Sequence, residues 1–349
     1  MQPVATHGLC KTCVREVPAT RFYKDGKVWI TKICPEHGSH TALREPISAF
    51  DIALRNIYRP AVTAQRSSMT FINVNHQCNM RCPGCYHSPD ILTPEPGRQS
   101  IIDLCKTITT DGIAFLGAEP TVHSDLPGLI RDVTAATGKP VSIVSNGLRL
   151  TDEPYVRKLK GAGLHSVAMT LRYGDYVTDK AFEMKKDAVH TLLYNGVKLW
   201  HLAFSIKTLE GVSQAIDDID HVLGNTSIET NIRLRVNEAM GFDDGTGLYL
   251  SDLAAEFGKQ LHERNRVGIP SCVSNPYMLV LAVNQRPWCL VHWPSIDSID
   301  LGDLADCPSK GLLVPEIGLR STMQHGLVFG HLRHVEAMSP REEVSEHGC

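Results

Sequence analysis

The stretch Asn75–Asp90, NHQCNMRCPGCYHSPD, carries Cys78, Cys82 and Cys85 in a C-x3-C-x2-C spacing with no fourth thiol nearby. It directly follows MTFINVN, an apolar run that reads as a buried strand. Three thiolates in one short loop can ligate three irons of a cubane [4Fe-4S] cluster, leaving the fourth iron open to a substrate or cofactor. A zinc knuckle completed by His76 or His87 is the competing reading of the same residues.

Working outward, strand-like and helix-like segments alternate. MTFINVN, GIAFLG, VSIVSNG, SVAMTLR, KLWHLAFSI and NIRLRVN read as six strands. SIIDLCKTITT, SDLPGLIRDVTAAT, EPYVRKLKGAG, DKAFEMKKDAVHTLLYNG and GVSQAIDDIDHVLG read as the five helices between them. Ser124 or Asp125 is the expected N-cap of the second helix. This alternation predicts parallel βα units with right-handed crossovers, and six units make a partial, TIM-like (β/α)6 barrel of the α/β class. The cysteine loop then sits at the C-terminal rim, where such barrels build their sites.

Upstream, GLCKTCVREVPA and FYKDGKVWITKICPEHGSH differ in character. Two strand-like runs, around Arg21–Tyr23 and Lys27–Ile30, flank the Asp25-Gly26 turn signal. Cys10-x2-Cys13 and Cys34-x2-His37 form two ligand pairs, a set suited to one tetrahedral structural zinc, with a rubredoxin-like iron site as the alternative. A metal would explain how so small a module folds. The expected organisation is a zinc-ribbon or rubredoxin-like module over 1–45, a helical linker over 46–66, the barrel over 67–240 and a C-terminal extension over 241–349.

Composition narrows the partners. The 349 residues carry a formal charge of -3, which gives no reason to expect nucleic acid or an anionic membrane. No apolar run is long enough to span a bilayer, and the N-terminus lacks the pattern of a secretory signal. The eleven cysteines are clustered, not spread as a disulfide framework, so a reducing, cytoplasmic setting is expected.

The second strand ends in FLGAEPTVHSDL and the third in VSNG. With the C-x3-C-x2-C loop after the first strand, the chain here resembles the radical S-adenosylmethionine (SAM) enzymes, over roughly Met69–Asn237. The resemblance implies a [4Fe-4S] cluster on Cys78, Cys82 and Cys85, with the SAM amino and carboxylate groups on the open iron. In that family a Gly-Gly-Glu-Pro segment contacts the SAM amino group; here it reads Gly117, Ala118, Glu119 and Pro120. Ser145 and Asn146 stand where a polar residue commonly meets the ribose. Gly84 occupies the position of the adenine-packing aromatic, with Tyr86 the nearby substitute. The implied chemistry is reductive cleavage of SAM to a 5′-deoxyadenosyl radical that abstracts hydrogen from an unactivated C–H bond, fed by a donor such as flavodoxin or ferredoxin. The N-terminal CPEHG knuckle ahead of that loop resembles the tetraether lipid synthase-like branch, implying a small-molecule or lipid substrate and C–C bond formation, methylation or a related change. A peptide-modifying radical SAM enzyme is the runner-up, and a non-catalytic zinc-binding interaction protein the third reading.

Further rim candidates for SAM or substrate are Arg172 and Asp175 after the fourth strand, Arg235 and Asn237 ending the sixth, and His201 and Lys207 on or after the fifth. Cys272, Cys289 and Cys307 could hold an auxiliary cluster or be plain buried thiols. Cys105 is expected in the core and Cys349 to be inert. PWCLVHWPSIDSIDLGDL is read either as part of the substrate pocket or as a packed lid.

Overall fold

A computed structural model of the chain describes residues 2–57, 69–82, 94–173, 177–224, 228, 230–240, 243–270, 277–304, 310–314 and 318–321. Strands β1 (Val4–Leu9), β2 (Glu16–Lys24), β3 (Lys27–Cys34) and β4 (Gly38–Glu45) form an antiparallel meander, followed by α1 (Ser48–Ile57). The β2–β3 turn places Asp25 at φ 51° and Gly26 at φ 73°. Both angles lie in the left-handed region that a tight hairpin demands.

Next come β5 (Met69–Asn73), α2 (Arg98–Lys106), β6 (Gly112–Leu116), α3 (Leu126–Thr137), β7 (Val141–Ser145), α4 (Glu153–Gly161), β8 (Leu164–Tyr173), α5 (Asp179–Tyr194), β9 (Lys198–Ser205), α6 (Glu210–Leu223) and β10 (Asn231–Met240). These are the six expected strands, and they pair parallel in chain order. Asp125, Asp152 and Thr178 cap α3, α4 and α5 by accepting from Gly128 N, Tyr155 N and Ala181 N. Each satisfies an orphan helix donor and fixes where its helix leaves the barrel rim. The main core lies between the outer face of the sheet and the helices, with Ile72, Ile113, Phe115, Ile143, Val167, Leu202, Ile232 and Leu234 fully buried.

The sheet does not stop at six strands. The chain continues through β11 (Asp243–Gly245), α7 (Leu250–Glu263), β12 (Gly268–Pro270), β13 (Met278–Val283), β14 (Arg286–Trp293), β15 (Lys310–Val314) and β16 (Gly318–Ser321). β14 pairs parallel to β10, and β15 pairs parallel to β5. The C-terminal segment therefore covers both open edges of the six-stranded barrel, which would otherwise present unpaired backbone groups. PWCLVHW, read from sequence as pocket or lid, is β14.

The N-terminal sheet is tied to this C-terminal segment. Leu9 packs with Tyr277, Ile296, Ile299 and Leu301, and Leu301 N donates to His7 O at 2.8 Å. Three guanidiniums and three carboxylates interlock beside that contact. Arg21 reaches Asp300 at 2.6 Å and Asp303 at 2.9 Å; Arg44 reaches Asp51 and Asp303, each at 2.6 Å. Arg55 reaches Asp51 at 2.8 Å and Asp303 at 2.7 Å. The charges balance, so burial is compensated internally.

Burial opposes the ionisation of Asp303, and Arg44, Arg55 and Arg21 outweigh it, holding the carboxyl well below the usual range. A carboxyl depressed in this way stabilises the fold above its unfolded pKa of about 4, and that contribution is lost as pH falls towards the folded value. Asp303→Asn is expected to cost about 3–5 kcal/mol, because three arginines lose one buried anion. Chemical denaturation at neutral pH checks it, and a loss below about 1 kcal/mol would show the network to be dispensable.

Candidate functional site

The rim site grows out of the β5–β6 ladder. Beyond the strand ends the pairing continues between two loops. Val74 N donates to Leu116 O at 2.9 Å, Ala118 N to Asn75 O at 3.3 Å and Glu119 N to Gln77 O at 2.9 Å. Fully buried Asn75 adds a side-chain bond from Nδ2 to Glu119 O at 2.7 Å. The cysteine loop and Gly117-Ala118-Glu119-Pro120 are thus one stitched unit. Gly117 sits at φ 136°, and a Cβ there would lie 2.5 Å from Asn75 O. Glycine is required at that position, whereas Ala118 is accommodated half-buried beside it.

Glu119 is 1% exposed. Its Oε1 accepts from Thr121 N at 3.1 Å, Thr121 Oγ1 at 2.6 Å and Ser145 Oγ at 2.8 Å; Oε2 accepts from Asn146 N at 2.7 Å. Burial pushes its carboxyl up, and these donors work against that shift. Oε2 takes one donor in these contacts, leaving room on the carboxylate for a cationic group. Ser145 and Asn146 therefore support Glu119 directly, a link the sequence reading did not make. Pro120 opens the short turn Pro120–Val122 that carries Thr121.

Cys78 and Cys82 are both half-buried and lie on this stitched loop. Cys78 Sγ accepts from Met80 N at 3.3 Å and lies 3.8 Å from Asn146 Nδ2, which also donates to Asn79 Oδ1 at 2.7 Å. Thiolates with N–H donors aimed at sulfur suit iron–sulfur ligation, where such bonds tune the potential. Cys85 and Tyr86 fall outside the described residues.

Sequence reasoning missed Lys185. It lies on the apolar stripe of α5 with Phe182, Ala188, Val189 and Leu192, is 2% exposed, and donates from Nζ to Thr170 O at 2.7 Å. Burial lowers its ammonium to about 8, while Cys82, Glu119 and Cys78 pull it back up. The signal was available as a lysine at a core-facing helical position.

At the other end, Cys10, Cys13, Cys34 and His37 bring their ligand atoms within 4.8 Å of one another. Cys13 Sγ lies 3.9 Å from Cys34 Sγ, and His37 Nδ1 lies 3.7 Å from Cys10 Sγ and 3.4 Å from Cys34 Sγ. Tetrahedral zinc with normal bond lengths implies about 3.8 Å between sulfurs and about 3.6 Å between sulfur and nitrogen. The donor set fits zinc. Arg15 beside Cys13 lowers that thiol to about 6, favouring the ligating thiolate.

The other candidates scatter. Arg172 is engaged by Asp218 at 2.5 Å and lies 4.0 Å over the Phe182 ring. With Asp179, Ser205, Lys207 and Gln214 it lines a cleft of about 650 Å³ at the ends of β8 and β9. Arg235 donates to Ser205 Oγ, and His201 lies against Trp200. Cys105 is fully buried and pushed up to about 12 by burial. Cys289 is on β14, whereas Asp175, Cys272, Cys307, Cys349 and the side chain of Asn237 fall outside the described residues.

Residues 72–202 match the Radical SAM superfamily, and residues 3–45 match the HMPTM N-terminal zinc ribbon domain. The chain carries a radical SAM domain behind a zinc ribbon. It is 32% identical over 205 residues to 7,8-dihydro-6-hydroxymethylpterin dimethyltransferase of Methanocaldococcus jannaschii, covering 51% of this chain and 40% of that protein. It is 27% identical over 197 residues to GTP 3′,8-cyclase of Peptoclostridium acidaminophilum, covering 51% and 57%. It is 27% identical over 244 residues to Fe-coproporphyrin III synthase of Methanosarcina barkeri, covering 62% and 58%. The chain thus spans about half the length of these relatives, and none of the three is named for a lipid. No helix among the described residues is long and apolar enough to cross a membrane.

Two tests bear on the radical SAM rim and its ribbon. Gly117→Ala is expected to lower iron and sulfide incorporation several-fold, with a stability loss of about 1–3 kcal/mol, since both the close contact and the positive φ are violated. Iron and acid-labile sulfide assays check it, and full cluster content would show that the stitch tolerates a Cβ. Cys34→Ala is expected to abolish stoichiometric zinc, read by elemental analysis of protein purified without added iron; zinc retained at one per chain would move the site elsewhere.

Proposed function

We propose that this chain is a radical SAM enzyme that cleaves SAM reductively and abstracts hydrogen from an unactivated C–H bond of a small-molecule or lipid substrate. The observation that supports it is the stitched rim, in which the loop carrying Cys78 and Cys82 is bonded to the Gly117–Pro120 segment of buried Glu119 within the matched radical SAM region. When bound on Cys78, Cys82 and Cys85, a [4Fe-4S] cluster with SAM supplies the electron and the 5′-deoxyadenosyl radical.

The protein's own residues hold and orient. Glu119 offers Oε2 to an ammonium, while Thr121, Ser145 and Asn146 fix its carboxylate. Met80 N and Asn146 Nδ2 face Cys78 sulfur, and Lys185 adds a buried positive charge near both thiols. The stacked rings of Phe71 and Trp200 help to exclude water from the barrel interior. The division of labour is a structural zinc module over 1–45, a linker over 46–66, the barrel over 67–240 and an extension over 241–349 on the substrate side. The electron comes from a small redox protein such as flavodoxin or ferredoxin. An auxiliary cluster would have to use Cys289 together with Cys272 and Cys307.

The test is anaerobic reconstitution with iron and sulfide, dithionite reduction, addition of SAM and chromatography of 5′-deoxyadenosine. Native protein is expected to form it and Cys82→Ala to form none. Glu119→Gln is expected to lower the rate about 10–100-fold, the worth of one charge-assisted bond. Zinc at the triad without acid-labile sulfide would overturn the reading.

A further inference from the structure

The inner wall of the barrel opposite the cysteine loop is positively charged. On β10, Ile232, Leu234 and Val236 face the helical layer, so Arg233 and Arg235 face the interior. On β9 the register slips between Val167 and Ala168, so that Leu199 and His201 flank a single step of β8. The bulge carries Trp200 and His201 inward together. Trp200 stacks on Phe71 at 5.7 Å, although three strands separate β5 from β9 in the sheet. That pair spans the interior and forms a floor. Nearer the rim, Arg235 donates from Nε and Nη2 to Ser205 Oγ at 3.1 and 2.6 Å and lies 5.7 Å from the Trp293 ring centroid.

Arg233 is the telling residue. The residue is half-buried, but its Nε is sealed from solvent and, among the described residues, has no hydrogen-bond acceptor. Among the described residues no carboxylate lies within ion-pair distance of it. Its neighbours are Cys289 across the ladder, Arg235 two residues on, and His201. Burial, with the two arginines adding to it, holds His201 neutral, so it supplies no compensating charge. A partly desolvated guanidinium facing another cation is unfavourable unless an anion meets it. The latch beside the ribbon shows the contrast, since there every buried arginine meets an aspartate.

We propose that this wall is an anion subsite for the substrate: the barrel takes a small molecule bearing a phosphate or carboxylate, seated on Arg233 and Arg235 with its body against Trp293 and the Phe71–Trp200 floor. The planar guanidinium fork suits either oxyanion, and an uncharged hydrocarbon chain would leave Arg233 uncompensated. The inference rests on reading the barrel interior as the substrate chamber of a radical SAM enzyme.

The test uses the full chain, with zinc and cluster loaded, anaerobically and without SAM. Thermal unfolding is followed while inorganic phosphate, or in a second arm succinate, is titrated at constant ionic strength with chloride. At least one probe is expected to raise the midpoint saturably. The stronger arm tells phosphate from carboxylate. Arg233→Met is expected to weaken that binding at least tenfold, and Arg157→Met, on the exposed face of α4, to leave it unchanged. Without any anion, Arg233→Met is expected to unfold no lower than the native chain, because it removes an uncompensated, half-buried charge. The proposal is overturned if neither probe saturates or if Arg233→Met binds equally well. It is also overturned if that variant unfolds several degrees lower, or if a second iron–sulfur cluster is lost with Cys289→Ser, which would supply an anion from the protein itself. Deoxyadenosine formation is read separately, so failed SAM cleavage with intact anion binding sinks the enzymatic reading and not the subsite.

Discussion

The rim of this barrel depends on one close approach between backbones. Asn75 O occupies the space where a side chain on Gly117 would begin. That contact lets the β5–β6 ladder run past the ends of both strands, so the ligand loop and the acidic segment are positioned by hydrogen bonds. Glu119 is then buried between them and anchored by four donors from Thr121, Ser145 and Asn146. Cys78, a carboxylate and the turn after β7 become one constellation, which is the pre-organisation the proposed cofactor site would require.

Buried charge is handled in two opposite ways in the same molecule. Between the ribbon and the C-terminal segment, three arginines meet three aspartates, and the network is neutral. It ties residues 21 and 44 to residues 300 and 303, so the ribbon is held by the part of the chain that also supplies β14 and β15. On the inner wall the balance is missing at Arg233 among the described residues, and His201 is held neutral. Compensated charge there serves architecture; uncompensated charge inside a chamber serves recognition. Lys185 lies between these cases, since its ammonium is desolvated yet drawn towards the thiols.

The ribbon itself has a small apolar core, with Ala19, Val28 and Ile30 buried on its strands. Val17 packs among Cys10, Cys13 and Cys34, and further buried surface is borrowed through Leu9 from Tyr277, Ile296, Ile299 and Leu301. Four strands of this size are stabilised by a ligated metal and by docking. Removing residues 1–45 would therefore strand Asp300 and leave Asp303 with Arg55 alone, and such a truncation reports on stability before it reports on substrate.

Local chemistry was legible along the chain. The spacings of Cys78, Cys82 and Cys85, and of Cys10, Cys13, Cys34 and His37, are covalent facts, and the βα alternation up to β10 follows from apolar period and capping residues that act within a few positions. β14 was not legible, because Pro287 and the mixed Trp, Cys and His content hide a strand that is buried on one face and lines the chamber on the other. Lys185 was passed over inside a helix whose period was correctly read. The ion network joining Arg21 to Asp303, the bulge that turns both Trp200 and His201 inward, and the lack of a counter-charge beside Arg233 among the described residues are decided only by tertiary structure. Each depends on residues far apart in the chain meeting in a desolvated interior, where the presence or absence of one partner outweighs any local preference.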